Sequence, residues 1–465
     1  MAVSPNDIEH AVREVLKRMG REGEVAGPVS SPAVDDAVER ARRAYDTYCG
    51  MGLNKRYEIV AAMREAAKAN VKAFAAHAAQ ETGMGRVEDK IQKNLLVIVK
   101  TPGPEILTPS AQTGDHGLML TELAPHGVIG SITPSTNPTE TVINNAISML
   151  SGGNGVVFNA HPSAARCTQE CIDVLSQAIA SVGGPPDLVV GVANPTIDTA
   201  KALMQSPGIA LLCVTGGGAV VKAAMLSGKK VVAAGPGNPP VVVDETADLA
   251  KAARVTVQSA SMDNNIICVS EKEAVVVDSV ADEFKRLMLS EGCVEVSGRD
   301  RDRLCDQIFA SRDGSSAVMN KELVGKSASV ILDRIGVRAA PETRLAIIDV
   351  PADHPLPWTE QLMPVFPMVR VPDVDAAIDL AVRYEGGRRH TAVMHSRNID
   401  KLSKMARLVN CSIYVKNGSS LAGLGMEGEG YTSFTIASPT GEGLTTAASF
   451  TRLRRCTLVD AFRIV

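Results

Sequence analysis

Between residues 127 and 235 the chain alternates short β-rich runs with helical segments, and that alternation leaves few folds open. The β-rich runs are 127–132, 155–159, 187–190, 209–214 and 230–234, with helical stretches near 138–150, 163–181, 197–205 and 218–227. Turn clusters divide them: Ser151-Gly-Gly-Asn154, Gly183-Gly-Pro-Pro186, Ser206-Pro-Gly208 and Ser227-Gly228. A strand–helix–strand series of this kind builds an open parallel sheet, whose ligands bind beyond the carboxyl ends of the strands. A second series starts at Pro240-Val-Val-Val-Asp244 and runs to about residue 440, which puts a domain boundary near Gly235-Pro-Gly-Asn238. The expected class is α/β, and 465 residues, 45% of them hydrophobic, suffice for about three domain-sized cores.

Composition removes several function classes. A formal net charge of −4 and the lack of a long Lys/Arg run give no basic field to track phosphates, so nucleic acid is not an expected partner. No apolar stretch reaches the roughly eighteen residues that a membrane span needs. The nine cysteines are odd in number and scattered, which suits reduced thiols in a cytoplasm. Cys167 and Cys171 lie four apart on an expected helix without a second pair or a nearby histidine, and no His-Glu-x-x-His run occurs. No metal is therefore expected.

The start of the chain reads as a separate element. Ser4-Pro5-Asn6-Asp7 supplies a cap, a proline at the first helical position and a carboxylate in the first turn, and Gly20 is placed to end the helix. Over residues 5–19, Ile8, Val12, Val15, Leu16 and Met19 form one apolar stripe, with the pairs Glu9–Arg13 and Glu14–Arg18 opposite. Residues 21–32 read as a linker, so the stripe can dock on its own domain or away from it.

Two places carry candidate chemistry. Cys268 follows the small and polar residues 258–265 and precedes the strand-like Ala274–Val277, a setting that suits an approachable nucleophile with polar neighbours. A buried core cysteine is the alternative. Asn137, in Thr133-Pro-Ser-Thr-Asn137-Pro138, falls where the first strand ends and the next helix begins, a ligand-binding position in open α/β sheets, although taken alone it reads first as a helix cap. Gly423-Leu-Gly425-Met-Glu-Gly428 matches a dinucleotide-binding pattern, but no strand feeds it and 431–436 after it reads as a strand, so it is taken as a glycine-rich loop.

Together, Asn137 and Cys268 give the chain a resemblance to the aldehyde dehydrogenase superfamily. Glu81-Thr-Gly-Met-Gly85, Gly153-Asn-Gly-Val-Val157, Val214-Thr-Gly-Gly-Gly218, Gly237-Asn-Pro-Pro240 and Glu360-Gln-Leu-Met-Pro-Val365 match it in the same order. The resemblance implies Cys268 as nucleophile and an oxyanion hole made by the Asn137 side chain and the Cys268 backbone N–H. It also implies a Rossmann-like cofactor domain (33–110 and 127–236), an α/β catalytic domain (237–440) and a small β oligomerisation element (111–126 and 445–465). Hydrolytic relatives hold a water-activating glutamate where Ala234 stands, in Ala234-Gly235-Pro236-Gly237, and ribose-binding lysine and glutamate where Asn159 and Pro162 stand. An acyl-cysteine without that base suits a thiol acceptor.

These departures, with Met262–Lys272 and Ala437-Ser-Pro-Thr-Gly-Glu-Gly443, resemble the CoA-acylating aldehyde dehydrogenases of bacterial microcompartments. The implied activity is oxidation of a short aldehyde, propionaldehyde first and acetaldehyde next, to its acyl-CoA with NAD and coenzyme A. The implied crevice comprises Thr133, Pro134, Ser135, Asn159, His161, Pro162, Thr215, Gly216, Gly217, Ala234, Gly235 and Glu360, with Glu360 on the nicotinamide ribose. The implied partners are shell proteins, met by the helix 5–19 within a microcompartment lumen, and further copies of the chain in a dimer or tetramer. A hydrolytic or phosphorylating enzyme and a catalytically silent shell component are the alternatives.

Overall fold

The computed structural model describes residues 31–313 and 316–465; the helix expected at 5–19 and nearly all of the linker lie outside them. At the linker's end, Pro32 begins a helix, taking the first position where a missing N–H costs nothing. Three helices lead into the body: α1 (Pro32–Cys49), α2 (Leu53–Thr82) and α3 (Val87–Lys100). A hairpin of β1 (Ser110–Gly114) and β2 (Gly117–Pro125) follows. The first alternating series is then β3 (Val128–Ile132), α4 (Pro138–Ser151), β4 (Gly155–Asn159), β5 (Val189–Gly191), β6 (Leu211–Thr215) and β7 (Lys230–Ala234), with helices Ala165–Ser181, Ile197–Gln205 and Gly218–Met225 between the later strands.

These five strands pair in parallel in the order β5-β4-β3-β6-β7. From β3 the chain steps outward to β5 and then returns across β3 to lay down β6. The order therefore reverses between β3 and β6, and a crevice opens beyond their carboxyl ends. Thr133–Asn137 follow the end of β3, and Thr215–Gly217 run from the last residue of β6 into the next helix. The fifth strand begins at Val189 and not at 187, because Pro186–Leu188 coils into a short 3-10 turn.

After Ala234 the chain leaves this sheet and enters a second one at β8 (Pro240–Val243), followed by β9 (Glu273–Val277). Seven parallel strands form it, in the order Val294–Glu295, Ala346–Asp349, Val365–Val371, β9, β8, Thr391–His395 and Ile413–Lys416. A third, antiparallel sheet joins β1 and β2 to the C-terminal strand Thr451–Val459, with β2 in the middle. Asn154 fastens it to the first sheet: its Oδ1 accepts the His126 N–H at 2.7 Å, and its Nδ2 donates to Phe450 O at 2.9 Å. That double role accounts for the asparagine in the Gly153-Asn-Gly turn.

One expected strand is absent. Of 431–436 only Ile436 pairs, as part of Ile436–Ala437 with Gly443–Leu444. The hydroxyls of the preceding segment offer its backbone local partners instead, Ser433 Oγ accepting the Thr435 N–H at 3.2 Å and Thr445 Oγ1 donating to Thr435 O at 2.9 Å. The glycine-rich run before it coils in a short turn, Ser420–Leu424, and leads into no helix.

Candidate active site

Cys268 stands on the connection between the helix Leu249–Ala260 and β9. From Ser259 to Val277 it is the one residue that is not fully buried. The turn before it takes an unusual path, with Asp263, Asn264 and Asn265 all at left-handed φ of 50°, 56° and 65°. Asp and Asn tolerate that region because their short polar side chains bond locally, and here each one is also locked. Asn264 Oδ1 accepts from Arg86 Nε at 2.9 Å and its Nδ2 donates to Gly325 O at 2.8 Å. Asn265 Nδ2 donates to Ala260 O at 2.6 Å and Glu271 O at 3.0 Å. Asp263 Oδ1 accepts the Arg86 N–H at 2.7 Å, and its Oδ2 meets the ammonium groups of Lys90 and Lys93 on α3 at 2.9 and 2.5 Å.

A Cβ on Gly85 would fall 1.9 Å from Asp263 Oδ1, and Gly85 itself sits at φ +78°. The last glycine of Glu81-Thr-Gly-Met-Gly85 is thus required by the approach of that carboxylate.

The polar run before the cysteine therefore braces the turn from within and does not surround the thiol. Ile266, Ile267 and Val269 pack beside it. Burial, and next the charge of Glu360, push the Cys268 thiol up to about 12, while Lys272 and Lys93 pull the other way. In the free protein burial therefore favours the protonated sulfur. Lys272, fully buried, donates to Asn265 O, Asn265 Oδ1 and Ile267 O at 2.7, 2.6 and 3.1 Å, and burial lowers its ammonium to about 8. It clamps the peptide just ahead of the thiol.

Asn137 occupies the capping position of α4, yet its side chain makes no capping bond. Its Oδ1 accepts from Lys93 Nζ at 2.6 Å, and its Nδ2 donates to Thr136 Oγ1 at 3.2 Å. A plain cap would point the oxygen at the helix N–H groups, so the helix-cap reading fails. α4 behind it is buried along its whole length. Asn145 of α4 bonds Ser131 of β3 at 3.2 Å and Thr435 at 2.9 Å, which fixes the helix that carries Asn137.

The remaining expected crevice residues are spread along the carboxyl ends of the first sheet. Thr133 Oγ1 is buried without a hydrogen-bond partner among the described residues, and Pro134 and Ser135 are half-buried beside it. Thr215 Oγ1 pairs with Thr435 Oγ1 at 3.1 Å. Gly216 donates its N–H to Ala234 O at 3.2 Å. Gly217 opens the helix Gly218–Met225, and a Cβ there would meet nothing within 4 Å. An unpaired hydroxyl after β3 and an open glycine helix start after its neighbour β6 fit a dinucleotide.

Gly235 lies against Pro439, and Ala234 is buried at the end of β7. His161 and Pro162 are exposed beyond β4, with His161 Nδ1 accepting the Ser163 N–H at 3.1 Å. Asn159 is less available: its Oδ1 is already taken by Thr199 Oγ1 at 2.7 Å. Glu360 reaches the nucleophile's side of the crevice, where its Oε1 accepts the Gly237 N–H at 3.2 Å and burial raises its carboxyl above the ordinary range.

Sequence reasoning missed Lys93, Asp263, Lys272 and His390. A Cβ on Gly237 would lie 2.5 Å from Cys268 O and 3.1 Å from the His390 ring, so that one glycine separates the two. His390 Nε2 is buried without a hydrogen-bond partner among the described residues, and burial lowers the imidazole to about 3, which favours its neutral form. Nothing in the spacing of a lone histidine before a strand distinguishes it. Among the described residues no group of side chains could hold a metal ion, and no helix is long and apolar enough to cross a membrane.

Residues 23–432 match the family described as "Aldehyde dehydrogenase family". The chain belongs to the aldehyde dehydrogenase family. It is 49% identical to acetaldehyde dehydrogenase (acetylating) EutE of Salmonella typhimurium, over 100% of both chains. Propionaldehyde dehydrogenase from the Clostridium phytofermentans fucose utilisation bacterial microcompartment superposes with a TM-score of 0.90 at 41% identity, covering 93% of this chain and 98% of that one. Rhodopseudomonas palustris propionaldehyde dehydrogenase, solved with bound CoA and an acylated cysteine, gives 0.89 at 44% identity, with 92% and 97% covered. The parallel sheets described above have the aldehyde dehydrogenase-like arrangement of these structures.

Proposed function

We propose that this enzyme oxidises a short-chain aldehyde to its acyl-CoA, with reduction of NAD, through an acyl group held on Cys268. The observation that carries this reading is the nucleophile turn: one partly exposed residue, Cys268, on an otherwise buried stretch, with alanine at 234 where the resemblance expects the base of hydrolytic relatives. Acetaldehyde and propionaldehyde are the substrate names of the relatives, so an acyl chain of two or three carbons is the expected range.

The Cys268 sulfur, once deprotonated, attacks the aldehyde carbonyl. Lys272 and Lys93 favour its anionic form, and the Asn137 amide with the Cys268 backbone N–H holds the oxygen as it gains charge. NAD, when bound, supplies the hydride acceptor, and Thr133, Thr215, Gly216, Gly217 and Glu360 are the residues that would hold it. With no carboxylate at position 234 to activate water, the acyl group waits on Cys268 for the thiol of CoA.

Residues 33–110 and 127–236 would then serve the cofactor, 237–440 the nucleophile, and 111–126 with 445–465 association between copies. Leu453, Leu458 and Val459 on the C-terminal strand are 70%, 46% and 63% exposed, which supports burial of that sheet against another copy in a dimer or tetramer. Residues 5–19 would dock to shell proteins, placing the enzyme in a microcompartment lumen. The deciding experiment follows NADH from acetaldehyde and from propionaldehyde with and without CoA. Strict dependence on CoA is expected, and equal NADH in its absence would favour a hydrolytic enzyme.

A further inference from the structure

Resting on that reading of Asn137, we propose that Lys93 is a positioning residue for the reaction, aiming the oxyanion-stabilising amide and tying it to the turn that bears the nucleophile. The ammonium of Lys93 is buried between the two halves of the site. It donates a hydrogen bond to Asn137 Oδ1 at 2.6 Å and lies at ion-pair distance from Asp263 Oδ2, 2.5 Å, and Glu140 Oε1, 3.1 Å. An ammonium has three N–H groups and can accept nothing. The atom of Asn137 that faces it must therefore be the carbonyl oxygen, and the NH2 of the same amide is turned to the other side.

The arrangement is specific in its chemistry. Asn137 stands where an asparagine ordinarily caps its helix and gives up that bond for the lysine. A full positive charge on the amide oxygen polarises the group and makes its N–H a stronger donor to a developing negative oxygen. The same ammonium reaches Asp263, five residues before Cys268, so donor and nucleophile are referred to one fixed point. Burial opposes the charge on Lys93, but Asp263 and Glu140 outweigh it and hold the group above its ordinary value. Lys90 completes the cluster on Asp263 at 2.9 Å and also lies 3.5 Å from Thr136 O, beside Asn137. A purely structural ion cluster has no need of the Asn137 oxygen, because Asp263 and Glu140 are already present.

The test is a double-mutant cycle on the full-length enzyme, combining Lys93→Met with Asn137→Ala and reading the first-turnover burst of NADH, kcat, KM and melting temperature. Lys93→Met leaves two carboxylates facing each other, so the charge-balanced pair Lys93→Met/Glu140→Gln is made alongside it. In whichever of the two is folded, kcat and the burst rate should fall about 10- to 100-fold, part of the loss for an oxyanion donor itself, with aldehyde KM nearly unchanged. In the Asn137→Ala background the same lysine substitution should cost less than about twofold, since its effect runs through the absent amide. Equal losses in both backgrounds would overturn the proposal and leave Lys93 a structural residue, as would a folded variant with undiminished kcat. If Asn137→Ala alone were harmless, the oxyanion reading would fall with it, whereas a damaging Asn137→Ala beside a harmless lysine substitution would remove only Lys93.

Discussion

At Cys268, the loss of one sulfur should end the reaction. Cys268→Ala should abolish acyl-CoA formation, while replacement of any of the other eight cysteines should leave substantial turnover, checked by NADH release with CoA present. The thiol's position near 12 gives a second expectation with a definite sign. A thiol alkylates as its anion, so the anionic fraction should grow about tenfold per pH unit while the pH stays below that value. The rate at which iodoacetamide labels Cys268 should thus climb steadily from pH 6 to 9, followed by mass spectrometry; a plateau near neutrality would mean that Lys272 and Lys93 hold the anion in the free enzyme. Asn137→Ala should lower turnover by about 10² to 10³, or roughly 3 to 4 kcal/mol, with little change in aldehyde affinity. Cys268 and Asn137 could be picked out as candidates because each stands at a punctuated place, a turn and a strand end. Lys93 was not, since a lysine on a helix reads as solvated, and its burial appears only when α3 is packed between Asn137 and Asp263.

Among the elements, the βα alternation of the first sheet was read nearly to the residue, because its strands are short and closed by glycine and proline. The segment 431–436 was misread, since β-branched and aromatic residues mark a strand only when a neighbour offers a free edge, and here hydroxyl side chains take the backbone groups. The antiparallel sheet of β1, β2 and Thr451–Val459 is the element whose exposure invites a partner. Leu453, 70% exposed at a strand position opposite Leu123, is the place to test it. Leu453→Asp should shift the enzyme toward smaller species in analytical ultracentrifugation while leaving its far-ultraviolet circular dichroism unchanged. An unaltered assembly would remove this face from the interface.

For the whole molecule, the proposed attachment through residues 5–19 should be separable from catalysis. The apolar stripe of residues 5–19 could bury about four or five side chains at roughly 1.5 to 3 kcal/mol each as an upper limit, and ordering of helix and linker consumes much of that. Docking should be weak per copy and stronger when several copies act together. Deleting residues 1–20 should leave solution kinetics nearly intact and remove co-purification with shells, and Leu16→Glu should do the same; loss of activity on deletion would make the helix part of the catalytic body.

The left-handed turn Asp263–Asn265 also depends on a distant part of the chain. Arg86, Lys90 and Lys93, which hold its side chains, come from the stretch before the first sheet, whereas the turn itself lies 170 to 178 residues further along the chain. Three successive residues in a sparsely populated backbone region do not persist without such support. A chain that has yet to bring these two stretches together lacks the support for the turn that presents Cys268.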